Sequence, residues 1–330
     1  MAQVNGENLK MKYELKKISG DASFREFYRL KKNNKTSIIV SAKKEKFKNL
    51  AVYTVINNVL INNRINAPKL LSNHYKNDII EISDLGEKSF FDHIISQKNK
   101  LNSYKSLIKL LIKLQKIKVK KLYKFGKLKI KIPKYTLSNL HKESDLFFDW
   151  YLKYFLKNKK LSKIKKTLRF ELNKVYKKLN YKNDTFVHRD FHISNVMIDK
   201  KKLGIIDSQD AIIGNPLYDV SSVIDDVRIK LPNKLQNKLL DFYHKNSKLK
   251  SDHIEKLKND FDILSVQRNL KILGIFVRLY KRDHKDNYLK FLPYTWTLIE
   301  KRLQNPVFKN LKLIFHKYLL IKKLKKLNKI

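Results

Sequence analysis

The sequence predicts an α+β chain of two unequal lobes, a small antiparallel sheet followed by a larger and mainly helical part. Three observations carry this prediction. Up to about residue 85, short apolar runs alternate with turn residues. From residue 86 onward, apolar side chains recur at helical spacing over long stretches. One compact group of strands, near residues 185–207, interrupts those helices. The change of character falls at Asp84-Leu85-Gly86, so the predicted lobes are 1–85 and 86–330. Only 7 glycines and 6 prolines punctuate the 330 residues, so most of the chain should be regular structure and each of these residues marks a turn.

In order, strands are predicted at 13–18, 24–30 and 36–41, with Ser19-Gly20-Asp21 and residues 31–35 turning between them as an antiparallel meander. Leu50, Val52, Val55, Ile56, Val59 and Leu60 place a helix over 46–64, stopped by Asn66-Ala67-Pro68. Strands follow at 69–72 and 78–82. The second lobe reads as helices over 90–96, 104–117, 137–155 and 161–179, then strands at 185–187, 196–199 and 203–207, then helices to the end. There is no internal repeat and no Pro-, Gly- or Ser-rich linker.

Composition excludes several classes. With no cysteine there is no disulfide framework, no thiolate nucleophile and no sulfur-ligated metal, so any ion must be held by oxygen or imidazole. The first fourteen residues lack the apolar core of a signal peptide, and no run of about 18 apolar residues exists to span a bilayer, which makes the cytoplasm the expected location. The net charge of +44 would ordinarily point to nucleic acid. Of the 74 basic residues 10 are arginine, leaving 74 − 10 = 64 lysines spread along the chain beside abundant Asn and Ile, the bias of an AT-rich coding sequence. Phosphate-reading surfaces favour the arginine fork, so the charge alone argues weakly for a nucleic-acid partner. A non-catalytic nucleic-acid-binding protein is kept as the rival of another class.

The chemistry concentrates in His188-Arg189-Asp190-Phe191-His192-Ile193-Ser194-Asn195 and in Gly204-Ile205-Ile206-Asp207. An H-x-D-x-x-x-x-N loop after a strand, followed beyond a hairpin by apolar residues and Asp, suits phosphoryl transfer from ATP. A transferred phosphoryl group carries dispersed negative charge, and Mg²⁺ prefers oxygen ligands. Asp207 would hold metal against the nucleotide's phosphates, Asn195 would hold a second ion through its carboxamide oxygen, and Asp190 would take the proton of the attacking hydroxyl. His188 would position the loop, and Arg189 would pair with a nearby acid. The plain alternative is a β-hairpin with polar turns, in which Asp and Asn are common anyway.

These motifs make the chain resemble the aminoglycoside phosphotransferase and choline kinase superfamily, which shares the bilobal fold of protein kinases. Ser19-Gly20-Asp21-Ala22-Ser23-Phe24-Arg25, the stretch from Val187 to Met197, Asp207-Ser208-Gln209-Asp210, Tyr218-Asp219-Val220 and Gln267-Arg268-Asn269-Leu270-Lys271 are similar to the bacterial anomeric N-acetylmuramate and N-acetylglucosamine kinases of peptidoglycan recycling. The similarity runs from about residue 18 to 306. It implies phosphorylation of the anomeric hydroxyl of an amino sugar by a chain acting as a monomer. It also implies that Ser19, Gly20 and Ser23 cover the phosphates, the alternative being a plain hairpin turn, that backbone groups of the hinge from Glu81 through Asp84 to Gly86 meet adenine, and that Asp219 braces the catalytic loop. Glu143 matches an acidic position near the sugar, the alternative being an exposed helical acid. Arg268 is either a second sugar contact or a surface ion-pair partner. Choline, homoserine and aminoglycosides stand as other acceptors.

Two departures are visible. The third strand carries no phosphate-clamping lysine, Lys43 and Lys44 lying just past it. Ser208 stands where an aromatic is usual, so that loop is expected to pack more loosely. The basic, amphipathic stretch 311–330 reads as a solvated helix or a membrane-surface element.

Overall fold

The computed structural model describes residues 13–18, 25–33, 35–42, 47–156, 161–200 and 202–319. Ser19, Gly20 and Ser23, together with Lys43 and Lys44, lie outside the described residues, as does the end of the basic stretch beyond residue 319. The chain forms two compact units. One holds the residues up to Lys88 with Tyr123–Ile130 and Met197–Gln209, and the other holds Ser89–Leu122, Lys131–Val196 and Asp210 onward.

In the first unit, strands β1 (Tyr13–Ile18), β2 (Glu26–Lys32) and β3 (Lys35–Ser41) form an antiparallel meander. With β4 (Leu70–His74) and β5 (Ile79–Ser83) they make a five-stranded sheet in the order β1-β2-β3-β5-β4. Between β3 and β4, helix α1 spans Phe47–Asn62. The register explains the core. Ile38 lies opposite Ile82 and Val40 opposite Ile80, so four branched side chains share one face and pack with Ala42 and with Leu50 and Tyr53 of α1. At the edge, β1 is almost wholly exposed and carries Lys16 and Lys17, charges that discourage another strand from pairing there.

A further hairpin, β6 (Tyr123–Phe125) and β7 (Leu128–Ile130), packs against the opposite side of α1 through Ala51, Val55 and Ile130. Sequence reading did not foresee it, because three-residue strands punctuated by Lys124, Lys127 and Lys129 look polar overall. The remaining pair in this unit, β9 (Val196–Asp199) and β10 (Lys202–Ile205), meets residue 66. Asn66 bridges Gly204, and its carbonyl accepts from Ile205 N–H at 2.8 Å. A Cβ at Gly204 would lie 2.8 Å from Leu85 Cδ1 and 3.0 Å from Asn66 Nδ2, so a larger residue would oblige those side chains to shift.

The second unit is built on α9 (Ile254–Asp283), a 30-residue helix buried along most of its length. Around it lie α2 (Phe90–Ile95), α3 (Leu101–Gln115), α4 (Leu137–Leu146), α6 (Leu161–Tyr176), α7 (Leu217–Ile224), α8 (Asn233–Asn246), α10 (Leu292–Arg302) and α11 (Lys309–Leu319). The start of α2 is set by a capping box of Ser89 with Asp92, that of α4 by Thr136 with Asn139. The single helix predicted over 137–155 is instead α4, a π-helical turn at Phe147–Leu152, and a short α5 (Lys153–Phe155). Apolar spacing does not register the extra residue of a π-turn, which buries Phe147, Phe148, Tyr151 and Leu152 together. Tyr151 accepts from Trp296 Nε1–H at 2.7 Å inside an aromatic cluster with Phe147. Within this unit β8 (Thr185–Val187) pairs with β11 (Ile212–Gly214) and leads into the H-x-D loop.

Where α9 crosses the junction of α4 and the π-turn, the backbones nearly touch. A Cβ on Gly274 would stand 2.3 Å from Leu146 C and O and 2.7 Å from Phe147 N, a clash with backbone that cannot swing away. Gly274→Ala should therefore destabilise the fold by about 3 kcal/mol, even though alanine favours an unencumbered helix by about 1 kcal/mol. Urea unfolding measures this, and an unchanged or raised midpoint would contradict the close crossing.

Candidate active site

The H-x-D loop is held by one carboxylate. Asp219, fully buried in the first turn of α7, accepts from His188 N–H at 2.7 Å and from Arg189 N–H at 2.9 Å. This fixes Arg189 in a left-handed conformation, φ +77°, which a residue with a Cβ adopts only under constraint. Burial pushes the Asp219 carboxyl up to about 7, with Asp190 adding to the shift, against the pull of the two backbone N–H groups. His188 is buried, its ring set edge-on to Phe191.

The loop then closes on itself. His192 N–H donates to the Asp190 carbonyl at 3.0 Å, and Asn195 Nδ2 donates to the same carbonyl at 3.1 Å. Asn195 Nδ2 also lies 3.2 Å from His192 Nε2, which Arg228 Nη2 approaches at 3.4 Å. A ring nitrogen facing two N–H groups must be the acceptor, so His192 is neutral with its proton on Nδ1. Burial, then the charges of Arg228 and Arg268, hold its pKa well below the ordinary histidine value. Both contacts engage the amide nitrogen of Asn195, so its oxygen is the atom available for a cation. Asp226, buried at the end of α7, accepts from Ile193 N–H at 3.2 Å and ties down the middle of the loop.

Beside the loop Glu143 organises a buried polar cluster. One oxygen accepts from Tyr135 Oη at 2.6 Å, Tyr218 Oη at 2.9 Å and Gln267 Nε2 at 2.9 Å. The other accepts from Arg189 Nε at 2.8 Å and Lys271 Nζ at 3.2 Å. Burial alone would raise the Glu143 pKa, yet Lys271, Arg189, Tyr135 and Gln267 outweigh it and hold the group at about 2. The same pairing raises Lys271 and Arg189 although burial works to lower both. Glu143 was expected to meet sugar hydroxyls. Its oxygens are instead engaged by five protein side chains, two of them the cations Arg189 and Lys271. Arg268, the other expected sugar contact, is buried in α9, and its charge acts on His192 and Asp219.

Tyr135 was not singled out from the sequence, and Tyr218, Gln267 and Lys271 stood only within longer stretches that carry the resemblance, without a role of their own. Gln267 and Lys271 stand four residues apart on α9 and so share one helix face, the only local hint that they act together.

Asp207, Glu81 and Asp84 belong to the other unit. Asp207 stands at φ +62°, and Gln209 Nε2 donates to its Oδ1 at 2.9 Å. Glu81 lies within β5, paired with Ile39 on one side and Ser72 on the other, its carboxylate accepting from Ser37 Oγ at 2.6 Å and Ser72 Oγ at 3.0 Å. Asp84 forms a two-pronged pair with Arg29, at 2.6 and 3.1 Å, and accepts from Gly86 N–H at 2.9 Å. Both side chains are thus committed to the protein, and any contact with adenine there falls to backbone. The loop containing Ser208 is not loosely packed: Ser208 is fully buried and donates to Asn57 Oδ1 at 2.6 Å.

A small antiparallel sheet unit, a helical unit and an H-x-D-x-x-x-x-N loop braced in this way define a phosphotransferase of the kinase-like fold. The chain belongs to the phosphotransferase enzyme family, whose profile matches residues 14–255, and it is an ATP-dependent small-molecule phosphotransferase. It is 27% identical over 301 residues to an N-acetylmuramate/N-acetylglucosamine kinase of Pseudomonas aeruginosa, an alignment covering 88% of this chain and 85% of that one. A protein of the same name from Neisseria meningitidis is 24% identical over 285 residues, covering 85% and 83%. Among solved structures, an ethanolamine kinase of Plasmodium vivax superposes with a TM-score of 0.62 at 16% identity, covering 90% of this chain and 84% of that one. The ADP-bound aminoglycoside phosphotransferase APH(2'')-Ib gives 0.59 at 13%, covering 91% and 95%. Among the described residues no helix is long and apolar enough to cross a membrane.

Glu143→Gln keeps the shape of the buried cluster and removes its negative charge, leaving Arg189 and Lys271 uncompensated. The expected loss is about 3 kcal/mol at pH 7. Because the folded pKa of Glu143 is depressed to about 2 from an ordinary 4.5, its contribution is complete above pH 4.5 and disappears as pH falls towards 2. Urea unfolding of both proteins across that window should show their stabilities converging. A gap that does not narrow would exclude this role for the carboxylate.

Proposed function

We propose that the chain transfers the γ-phosphoryl group of ATP to the anomeric hydroxyl of an N-acetylated amino sugar, N-acetylmuramate or N-acetylglucosamine, giving the sugar 1-phosphate and ADP. The observation that carries this reading is the braced catalytic loop, in a chain that aligns over 88% of its length with a kinase of that name. Asp190 is the base: as the anomeric oxygen bonds to phosphorus and the bond to the departing ADP oxygen breaks, the hydroxyl proton passes to its carboxylate. An anomeric hydroxyl is more acidic than an ordinary alcohol, so orientation and late proton transfer suffice. Arg189 and Lys271, anchored by Glu143, supply fixed positive charge on the acceptor side of the loop.

Asn195, in the helical unit, and Asp207, in the sheet unit, are each suited to hold magnesium. The Asn195 amide nitrogen is occupied within the loop, which leaves its oxygen to ligate, and Asp207 adds a carboxylate, both hard donors of the kind Mg²⁺ prefers. When bound with ATP, Mg²⁺ would neutralise charge on the phosphates. The need for ATP puts the reaction in the cytoplasm, where the product would belong to the recycling of cell-wall sugars.

The other acceptors fit less well. Choline calls for aromatic rings around a cation, but the rings of Tyr135 and Tyr218 meet edge-on with their hydroxyls on Glu143 and with Lys271 already over Tyr218. An aminoglycoside is polycationic, and the Glu143 cluster carries two cations on one carboxylate.

The test is incubation with ATP, Mg²⁺ and a panel of amino sugars, choline, homoserine and kanamycin, followed by ³¹P NMR. An acid-labile anomeric phosphate is expected from an amino sugar alone, with Asp190→Asn slower by about 10²-fold or more. Absence of transfer to every amino sugar, or an undiminished rate in the Asn variant, would refute the assignment.

A further inference from the structure

In phosphotransferases of this fold a lysine on the third strand holds the nucleotide's phosphates. Here the one lysine of β3, Lys35, is exposed at the strand's start, the rest being Thr36, Ser37, Ile38, Ile39, Val40 and Ser41, and the strand's end is buried as Ser41 and Ala42. The register shows what stands beside that end. Glu26 pairs with Ser41, so Arg25, one residue before β2, falls next to Ala42. Arg25 is only 6% exposed, and its guanidinium carbon lies 5.7 Å from the ring centroid of Tyr53, itself buried on α1.

The neighbours of Tyr53 lead to Asp207. Asn57, one helical turn along α1, accepts at Oδ1 from Ser208 Oγ, the residue next to Asp207. Asn57 Nδ2 is buried without a hydrogen-bond partner. Burial pushes the Tyr53 hydroxyl up to about 12, and the charge of Asp207 acts on it in the same direction while that of Arg25 opposes it. Arg25, Tyr53, Asn57, Ser208 and Asp207 therefore form one cluster inside a single unit. A serine at position 208 has a purpose in it: a larger aromatic there would sever the link to Asn57.

We propose that Arg25, seated on Tyr53, is the cation that binds the ATP phosphates in place of a third-strand lysine. The planar fork can give two parallel hydrogen bonds to phosphate oxygens, which an ammonium cannot. Burial against an aromatic ring restricts it before the nucleotide arrives, so less freedom is lost on binding. Helix α1 carries both Tyr53, on which the guanidinium sits, and Asn57, which is bonded to Ser208 beside Asp207, so one rigid element relates Arg25 to Asp207. This inference rests on the reading of the protein as an ATP-dependent kinase and is independent of which acceptor it phosphorylates.

Direct nucleotide binding tests it. Calorimetric affinities for Mg·ATP and for adenosine are measured on wild type, Arg25→Met and Arg25→Lys. Arg25→Met should weaken Mg·ATP by about tenfold or more and leave adenosine, which has no phosphates, unchanged. Arg25→Lys should fall between, because it restores charge without the paired geometry. Equal Mg·ATP affinity in wild type and variants, or a parallel loss for adenosine, would overturn the proposal. If the Met variant does not fold, Arg25→Lys decides by the same comparison. A wild-type protein that binds Mg·ATP no better than adenosine overturns it as well. Tight Mg·ATP binding without sugar phosphorylation would refute the acceptor assignment alone, and the affinities of the Arg25 variants would still support or overturn the role of that residue.

Discussion

The catalytic loop depends on the grip of Asp219 on two consecutive backbone amides, those of His188 and Arg189. A left-handed residue with a Cβ costs roughly 1–2 kcal/mol, and a buried carboxylate resists ionisation, so neither feature would persist alone. Together they are consistent: the amides solvate the carboxylate, and the carboxylate holds the bend. The bend turns the Arg189 side chain to Glu143 and brings the Asp190 carbonyl to the amide nitrogen of Asn195. The proposed base, Asp190, and the proposed metal ligand, Asn195, are thus set by one backbone geometry, five residues apart in sequence and joined by one hydrogen bond.

Arginine and lysine divide the polar work unequally. Lysines outnumber arginines 64 to 10, yet Arg25, Arg29, Arg189, Arg228, Arg268 and Arg302 are all buried or half-buried. Arg302 closes a buried pair with Asp225 at 2.7 and 2.8 Å, and Arg29 forks onto Asp84. Such sites need a planar donor in defined geometry, which lysine does not provide. Lys271 is the exception that serves the site, and it does so as a point charge on Glu143. The large net charge therefore says little about partners, whereas the ten arginines say a good deal about where geometry is demanded.

Much of this architecture was legible in the sequence for a physical reason. Short apolar runs between turn residues placed β1 to β5 within a residue or two, and the H-x-D-x-x-x-x-N loop was visible because its members are contiguous. The supports of the loop are not contiguous. Glu143 is surrounded by donors from positions 135, 189, 218, 267 and 271, drawn from a loop, the catalytic turn and two helices. An isolated Glu on a predicted helix gives no sign that its charge will be spent on protein cations. The same holds for Ser208, which sequence reading took as a loosened contact because its partner, Asn57, lies 151 positions away.

Arg189 is where these supports meet. Its backbone is held by Asp219 and its side chain by Glu143, two buried carboxylates whose acidities are driven in opposite directions. Asp219 faces neutral amides and is pushed up by burial, so its hold on the loop is a matter of hydrogen-bond geometry. Glu143 faces two full charges and is pulled down, so its hold is electrostatic and survives far into acid. A residue fixed at only one end could still swing, through its backbone if Asp219 were lost or through its side chain if Glu143 were lost. Fixed at both, it leaves the following residue, Asp190, with almost no freedom in where its carboxylate begins. That is the preorganisation a base needs when the proton it receives arrives late and the acceptor hydroxyl must already be in line.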